Sequence, residues 1–459
     1  MESARLTSSF RDPSGYVYKD GDNVRRVVNP IYYAQYNALN STGFYKLLFE
    51  KRYLIPHTEI AADDTKIILQ PENIPFFSYP YEWSFLQYKH AALLTLKLQK
   101  FCLQHNFTLK DASAFNVTFH NGKPLFIDTL SFDFYADGTP WKAYRQFIMH
   151  FLGPLVLTKY HGHHFLKTLA ADIDGIPLAR LSKLLPAKTY LNPTLLTNVH
   201  LLAKYDRKYS GSDTPKKQSL SKSAQIRLLD SLYDYVKNLQ MSEQTEWAGY
   251  YSQTNYNDIA HQIKKELTAK WYGSFAGDSV IDIGGNDGTF TRELPKNLKF
   301  GIVADVDPNA VEQNYRKTIA QKEANILPIV ADVLNPAAGY GFNNAERFPL
   351  IDRLAALKLD GCLALAVIHH ITLSGNIPFA LSAEFFAKLA SHLLIEFPGR
   401  NDSWVRFLLD GKRESREDFG FYNEDEFEAA YSKWFEIVKK DAIPESNRTL
   451  YTMVRRANS

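Results

Sequence analysis

The sequence predicts a two-domain α/β protein whose C-terminal half forms a mostly parallel sheet that ends in an antiparallel pair of strands. Three observations lead to this class. Residues 279–307 read as strand, glycine-rich turn, helix and strand, which is a βαβ unit. Strand and helix patterns then alternate as far as Phe397. The last two strands, Phe435 to Lys440 and Thr449 to Arg455, are joined by a short turn and are therefore antiparallel.

Length and composition divide the chain into two domains. A chain of 459 residues is longer than one hydrophobic core usually organises. The stretch from Lys204 to Lys222 is rich in lysine, serine and glycine and shows no apolar periodicity, which is typical of a solvated linker. We predict an N-terminal domain at 1–205, a linker at 206–235 and a C-terminal domain at 236–459.

The composition also limits the partners and the compartment. Hydrophobic residues make up 45% of the chain and charged residues 22%, with a formal net charge of +3, so nucleic acid is not an expected partner. Apolar runs are too short to span a membrane, and the N-terminal residues lack a signal-peptide core. Cys102 and Cys362 lie in apolar surroundings, which suits a reducing compartment. We expect a cytoplasmic protein.

The N-terminal domain begins with a hairpin and is of the α+β class. Gly15 to Tyr18 and Val24 to Val28 flank a polar turn that contains glycine. A broken helix, a strand and a long amphipathic helix follow, at Tyr32 to Arg52, Ile67 to Leu69 and Trp83 to His105. The break in the first helix is predicted near Ser41-Thr42-Gly43.

After the long helix, an aspartate, an asparagine and a second aspartate have the spacing that phosphoryl transfer uses. Asp111 and Asn116 form a D-x-x-x-x-N pattern, and Asp128 ends a short hairpin strand that begins at Pro124. One carboxylate can orient a hydroxyl, while an amide and a second carboxylate can hold Mg²⁺ on ATP phosphates. The set resembles the protein-kinase-like and aminoglycoside-phosphotransferase-like families. That resemblance implies a catalytic Asp111, metal ligands Asn116 and Asp128, and Mg-ATP as ligand.

The match to these families is incomplete. Leu109-Lys110 stands where kinases have His-Arg, and Thr129-Leu130 follows Asp128 in place of Phe-Gly. The sequence has no kinase lysine motif, no full glycine-rich loop and no A-P-E motif. We consider Arg26, on the second strand, as the cation for the phosphates and Glu50 as its helix partner. Two interpretations stay open: an active phosphotransferase, or a degenerate kinase-like recognition module.

The C-terminal domain centres on the glycine turn after its first strand. Asp282, Gly284, Asn286 and Gly288 occupy alternate positions there, and Gly285 adds a further glycine. Glycine exposes the backbone to a ligand, and asparagine tolerates left-handed angles. A dinucleotide fingerprint is G-x-G-x-x-G, whereas this spacing resembles the D-x-G-x-G-x-G pattern of class I S-adenosylmethionine-dependent methyltransferases. The resemblance implies a Rossmann-like sheet with a terminal antiparallel hairpin, and S-adenosyl-L-methionine as cofactor.

Two carboxylates at strand ends complete the predicted cofactor site. Asp305 ends the second strand of the domain, where it can accept hydrogen bonds from both ribose hydroxyls. Asp332 follows the third strand, Ile326 to Val330, which is the usual place in methyltransferases for a carboxylate near the adenine amino group.

Two histidines are the candidates for the catalytic base. His369 and His370 follow a buried strand predicted at Gly361 to Ile368, and ligands of open α/β sheets gather at the carboxyl ends of strands. An imidazole suits proton removal from a hydroxyl near neutral pH. The alternative is a histidine satisfied by backbone at a strand end. The sequence leaves open whether oxygen, nitrogen or carbon accepts the methyl group.

Longer segments resemble one bacterial family, which includes the rhizobial host-specific nodulation proteins. Leu363 to His370 and Leu394 to Pro398 are similar to its C-terminal half, and Leu109 to Phe119, Phe126 to Phe132 and Trp141 to Phe147 to its N-terminal half. The resemblance implies a bacterial methyltransferase acting on a small molecule, a glycan or a lipid-linked acceptor. The domain pair also resembles bifunctional enzymes that cap bacterial polysaccharides with methyl phosphate, in the opposite domain order. The oligomeric state stays open.

Overall fold

The computed structural model of the chain describes residues 5–21, 23–209, 219–241, 258–295, 297–412 and 416–457. The chain divides into two units. The N-terminal unit comprises 1–243 and 339–348, and the C-terminal unit comprises 244–338 and 349–459. Helices and strands are mixed in both, which confirms the predicted mixed α/β class. Within the described residues, no helix combines the length and the hydrophobicity that a bilayer crossing requires.

The N-terminal unit begins with a four-stranded antiparallel sheet, whose strands are β1 (Gly15–Asp20), β2 (Asn23–Val28), β3 (His57–Ala62) and β4 (Ile67–Pro71). Their order is β1-β2-β4-β3. Two helices, α1 (Tyr33–Ser41) and α2 (Phe44–Glu50), connect β2 to β3 and are separated at Gly43, whose φ is +70°. The sequence did not predict β3, because its side chains are mostly exposed and do not alternate between apolar and polar.

A long helix, α3 (Phe85–Gln104), lies at the centre of the N-terminal unit and is buried over most of its length. A capping box starts it: Ser84 Oγ accepts from Gln87 N–H, and Gln87 Oε1 accepts from Ser84 N–H at 3.0 Å. Four short strands follow, β5 (Phe107–Leu109), β6 (Val117–His120), β7 (Lys123–Phe126) and β8 (Phe132–Phe134). They form two antiparallel pairs, β5 with β8 and β6 with β7.

After β8 the N-terminal unit is mainly helical. Its α-helices there are α4 (Tyr144–Phe147), α5 (Gly153–His161), α6 (Thr168–Ala171), α7 (Leu178–Leu184), α8 (Pro193–Leu195), α9 (Leu202–Tyr209) and α10 (Lys222–Lys237). One face of α10 is buried on α3, with a 2.6 Å ion pair between Lys100 and Asp230. The C-terminal part of the linker expected at 206–235 is therefore helical, and residues 210–218 lie outside the described residues.

The C-terminal unit contains a seven-stranded sheet, whose strands are β9 (Ser279–Ile283), β10 (Phe300–Asp305), β11 (Ile326–Val330), β12 (Leu359–Ala364), β13 (Ala390–Pro398), β14 (Phe435–Ala442) and β15 (Arg448–Arg455). Their order is β11-β10-β9-β12-β13-β15-β14. β9 to β13 are mutually parallel, whereas β15 runs antiparallel to β13 and to β14. The strand predicted to reach Ile368 ends at Ala364, because Ala366 has a left-handed φ of +54°.

Helices pack around this sheet. They are α11 (Asp258–Tyr272), α12 (Thr289–Arg292), α13 (Pro308–Gln321), α14 (Leu350–Ala355), α15 (Phe379–Leu389), α16 (Ser403–Asp410) and α17 (Glu424–Tyr431). Trp271, Val280, Leu363 and Leu394 belong to one buried apolar cluster that joins α11 to the sheet. The sequence did not predict α16, whose N-terminus is capped by Asp402.

Candidate functional site

The turn between β9 and α12 has the backbone conformation that its glycines favour. Gly284, Asn286 and Gly288 have φ values of +69°, +49° and +74°, in the left-handed region that glycine and asparagine enter at least cost. A Cβ built on Gly285 would lie 2.7 Å from the carboxyl carbon of Asp282. Any other residue at position 285 would therefore displace that carboxylate.

The turn lies where the strand order reverses. β10 and β11 are on one side of β9, whereas β12 and β13 are on the other. Connections that leave a central strand in opposite directions open a crevice at the carboxyl ends of the strands, and ligands of open α/β sheets bind there. The glycine turn is thus at the edge of the sheet where a ligand is expected.

Asp282 supports the turn from β9. It is 1% exposed, and its Oδ2 accepts a 2.7 Å hydrogen bond from Thr291 Oγ1–H on α12. Burial raises the pKa of Asp282 to about 7, and the charge of Asp305 contributes in the same direction. The bond to Thr291 ties α12 to β9 across the turn.

The carboxylate of Asp305 lies against the same turn. Its Oδ2 accepts from Asn286 N–H at 2.8 Å, and its Oδ1 accepts from Asp307 N–H at 2.9 Å. Burial raises the pKa of Asp305 to about 6, although these backbone hydrogen bonds act in the opposite direction. Each carboxylate oxygen can accept two hydrogen bonds, so Asp305 retains acceptor capacity for a ligand. Asp307 caps α13 instead, accepting from Asn309 N–H at 2.9 Å.

Asp332 lies at the same end of the sheet, after β11. Its side chain is half-buried, and its Oδ1 accepts from Leu334 N–H at 2.9 Å. The other predicted cofactor residues form the turn or contact it directly. Asp332 follows β11, which is separated from β9 and its turn by one strand, β10.

His369 and His370 lie beyond the end of β12. The chain turns at Ala366, and residues His370–Ser374 form a π-helical turn. The two rings are 4.2 Å apart between centres, His369 is 1% exposed, and its Nδ1 has no hydrogen-bond partner among the described residues. Burial lowers the pKa of both rings from 6.5, and the nearby charge of Arg448 lowers it further. Both imidazoles are therefore neutral at pH 7.

The N-terminal unit brings its three predicted site residues together. Asp111 and Asn116 lie between β5 and β6, and Asp128 lies between β7 and β8. Asn116 Nδ2–H donates to Ser131 Oγ at 3.4 Å, and the Ser131 hydroxyl in turn donates to Asp128. Burial raises the pKa of Asp111, and the charge of Asp128 raises it further, so the two carboxylates are close enough to interact.

A cation also binds Asp128. Arg26 Nη1, on β2, lies 2.5 Å from Asp128 Oδ1, and the exposed fractions of the two side chains are 16% and 17%. Leu130 N–H donates to the same oxygen at 3.3 Å, while Ser131 donates to Oδ2. Burial opposes ionisation of Asp128, but the charge of Arg26 and these hydrogen bonds outweigh it and lower the pKa. Oδ1 of an ionised Asp128 thus has two donors, and Oδ2 has one. Glu50 is exposed.

Asn116 and Asp128 do not fit a magnesium ion in this arrangement. Magnesium takes oxygen ligands in octahedral geometry, and the arginine beside Asp128 both occupies Oδ1 and repels a cation. The expectation of Mg-ATP in the N-terminal unit is therefore not supported.

A known protein matches nearly the whole chain, although no protein-family model matches it. The nodulation protein NoeA of Rhizobium meliloti (strain 1021) is 31% identical over 469 residues, covering 98% of this chain and 96% of NoeA. The chain belongs to the NoeA family. The resemblance to rhizobial nodulation proteins is thereby confirmed.

Parts of this NoeA-family chain also resemble solved structures. The N-methyltransferase NodS from Bradyrhizobium japonicum WM9 has a TM-score of 0.30 and 13% identity, over 44% of this chain and 98% of NodS. Magnesium protoporphyrin IX methyltransferase ChlM from Synechocystis PCC 6803 has a TM-score of 0.32 and 17% identity, over 46% of this chain and 92% of ChlM. The bifunctional kinase-methyltransferase WbdD has a TM-score of 0.30 and 13% identity, over 49% of this chain and 46% of WbdD. Scores and identities this low do not assign an activity.

In this NoeA-family protein, four buried side chains of alternating charge contact one another in the C-terminal unit. The sequence did not predict this set, which we call the charge chain. Lys264 Nζ lies 2.5 Å from Glu396 Oε2, Arg448 Nη1 lies 3.0 Å from Glu396 Oε1, and Arg448 Nε lies 2.7 Å from Asp402 Oδ2. All four residues are at most 5% exposed. The sequence did hold a signal, because Lys264 precedes the buried Trp271 by seven residues and so lies on the apolar face of α11.

Proposed function

We propose that the C-terminal unit of this NoeA-family chain is a class I, Rossmann-like, S-adenosylmethionine-dependent methyltransferase. The observation that carries the proposal is the left-handed turn from Gly284 to Gly288 with the Asp305 carboxylate against it. The turn lies beside β9, where the strand order reverses and ligands of open α/β sheets bind. A dinucleotide-binding sheet stays parallel, whereas this sheet closes with the antiparallel pair β14 and β15, which favours the methyltransferase.

The residues of the turn fit an adenosyl ligand. The Gly284–Gly288 backbone lets the ligand approach closely, Asp305 would accept from ribose hydroxyls, and Asp332 from the adenine amino group. S-adenosylmethionine supplies an activated methyl group on a sulfonium when it is bound. The remaining task of the protein is to hold an acceptor in line with that methyl group, and orientation alone contributes about 7–11 kcal/mol in well-placed reactions.

His369 and His370 would orient or deprotonate the acceptor. Because burial keeps both rings neutral at pH 7, an unprotonated ring nitrogen can accept a hydrogen bond from a hydroxyl. The acceptor we propose is a small molecule, a glycan or a lipid-linked molecule, and the rhizobial relative supports a bacterial source. A cytoplasmic location stays a prediction.

Binding and turnover test this proposal separately. Calorimetric titration with S-adenosylhomocysteine should show binding to the full-length protein, and no binding would contradict a cofactor site at the glycine turn. Methyl-labelled S-adenosylmethionine, incubated with the protein and a rhizobial extract, should yield a labelled product whose identification names the acceptor.

For the N-terminal unit we propose a kinase-like module that recognises or presents the substrate without phosphoryl transfer. The Arg26–Asp128 ion pair favours this function, because it occupies the carboxylate that a kinase would use for its metal ion. The alternative is a bifunctional kinase-methyltransferase that modifies a bacterial surface saccharide, and it requires Arg26 to leave Asp128. Binding of Mg-ATP that disappears in Asp128→Ala would favour the alternative.

A further inference from the structure

Side chains on and after α13 hold the glycine turn through Asp287. This residue is 8% exposed, and its Oδ1 accepts from Thr289 N–H at 3.2 Å and from Thr289 Oγ1–H at 2.6 Å. Its Oδ2 lies 2.5 Å from Lys317 Nζ, on α13. An acidic residue within the turn is thus bound to a cation from a separate helix.

Arg292, the last residue of α12, adds a second connection to the same turn. Its Nη1–H donates to the backbone oxygen of Asp287 at 2.7 Å, and its Nε and Nη2 contact Glu323, just after α13, at 2.9 and 2.7 Å. A Cβ built on Gly288 would come within 2.5 Å of Arg292 Nη1, so the guanidinium packs on the left-handed glycine. Backbone and side chain of Asp287 are therefore both anchored.

The turn needs such anchors because a free chain does not prefer its backbone conformation. Asn286 has left-handed angles that side-chain-bearing residues disfavour, and the glycines on either side of it are flexible when unrestrained. A ligand that binds a mobile turn must order it, and that ordering reduces the affinity. Contacts that fix the turn beforehand raise the affinity without touching the ligand.

We propose that Lys317 is a positioning residue of the cofactor site: by binding Asp287 it keeps the Gly284–Gly288 turn in the conformation that receives an adenosyl ligand. The inference rests on the proposed methyltransferase function. Lys317 is 39% exposed and lies on a helix with no part in the glycine motif, so the motif alone gives it no role.

Lys317→Met removes the cation and keeps an unbranched side chain that is one heavy atom shorter. We expect the Kd for S-adenosylhomocysteine, measured by calorimetric titration, to rise about threefold to tenfold because the turn is less well ordered. Lys317→Arg should restore most of the affinity, because arginine keeps a positive charge beside the Asp287 carboxylate. Arg316→Met is the matched control: Arg316 is the neighbouring residue, is 61% exposed and pairs with Glu312 on the same helix, so its Kd should stay at the wild-type value.

Asp287→Asn provides a second variant for a double-mutant cycle. If Asp287 and Lys317 act as one unit, the double variant should bind S-adenosylhomocysteine no more weakly than the weaker of the two single variants. Additive losses would overturn the proposal, as would a Lys317→Met variant with the Kd of Arg316→Met. A lower melting temperature that Lys317→Arg does not restore, with no selective change in Kd, would show a purely structural lysine and also overturn it. Absence of binding to the wild-type protein would instead overturn the methyltransferase function.

Discussion

Arg26 and Asp128 form an ion pair with a nitrogen–oxygen distance of 2.5 Å, although 102 residues separate them in the chain. In a phosphotransferase, the carboxylate at this position holds a metal ion on the nucleotide phosphates. Here the guanidinium supplies the positive charge, and Ser131 and Leu130 also donate to the carboxylate. The negative charge of Asp128 is therefore compensated within the protein by Arg26.

Arg26→Gln should destabilise the N-terminal unit by about 3 kcal/mol, because it leaves a mostly buried carboxylate without its cation. Urea unfolding measures the loss. Arg25→Gln is the comparison on the same strand: Arg25 pairs with Asp20, which is 58% exposed, and donates to Gln70. Because no buried carboxylate is left without its cation, we expect a smaller loss of about 1–2 kcal/mol.

The same ion pair predicts that the wild-type protein binds ATP no more tightly with Mg²⁺ than without it. Calorimetric titration of ATP with and without MgCl₂ measures this. Tight, Mg²⁺-dependent binding that is lost in Asp128→Ala would contradict the non-catalytic module and support the kinase.

Asp305→Ala should weaken S-adenosylhomocysteine binding about tenfold or more, because a hydrogen bond to a charged group contributes roughly 1.5–3 kcal/mol. Asp307→Ala serves as the control: loss of the helix cap should cost about 1 kcal/mol of stability and leave the affinity unchanged. Calorimetry gives both affinities. The reverse result, with the larger loss in Asp307→Ala, would make Asp307 the ribose ligand.

His369→Ala and His370→Ala test the predicted acceptor site. Removal of the residue that serves as the base should lower turnover about 10²-fold or more. Wild-type turnover in both variants would remove the histidines from the mechanism. Once the acceptor is known, the initial rate with labelled cofactor measures the effect.

The histidines also predict a pH dependence of stability. Their pKa values are lowered in the folded protein from 6.5, so protonation favours unfolding. The stability that the neutral rings contribute is fully present above pH 6.5 and is lost as the pH falls below it. The urea midpoint of the wild-type protein should therefore fall more steeply between pH 6.5 and 5 than that of His369→Gln. Parallel curves would show that His369 is not buried.

Local patterns explain which parts of the fold the sequence predicted. The glycine turn, the helix break at Gly43 and the strand Ile326–Val330 follow from glycine positions and apolar runs within a few residues. β3 was missed because an exposed edge strand needs no apolar alternation. β12 was predicted too long because its apolar run continues past Ala364 through a left-handed Ala366, which no local pattern indicates.

The candidate sites of the two units were less predictable, because their charged side chains pair with residues that are far away in the sequence. Asp111, Asn116 and Asp128 could be named from a motif, but the ion pair between Asp128 and Arg26 depends on how β2 is placed. Lys264 was missed because lysines on helices usually face solvent. Tertiary packing therefore decides how the residues of both candidate sites are paired, whereas sequence spacing only identifies the candidate residues.

Lys264→Met should reduce the stability of the C-terminal unit by about 3 kcal/mol, because it removes one of the two cations from the fully buried Glu396. Lys265→Met is the matched control, since Lys265 is the adjacent residue and pairs with Glu293 at the surface, where the loss should stay under about 1 kcal/mol. Urea unfolding followed by tryptophan fluorescence, to which Trp271 on the same helix contributes, measures both. Equal losses would mean that Lys264 is solvated and that the charge chain begins at Arg448. A larger loss at Lys264 would show that α11 is fixed to the sheet by charge as well as by its apolar face.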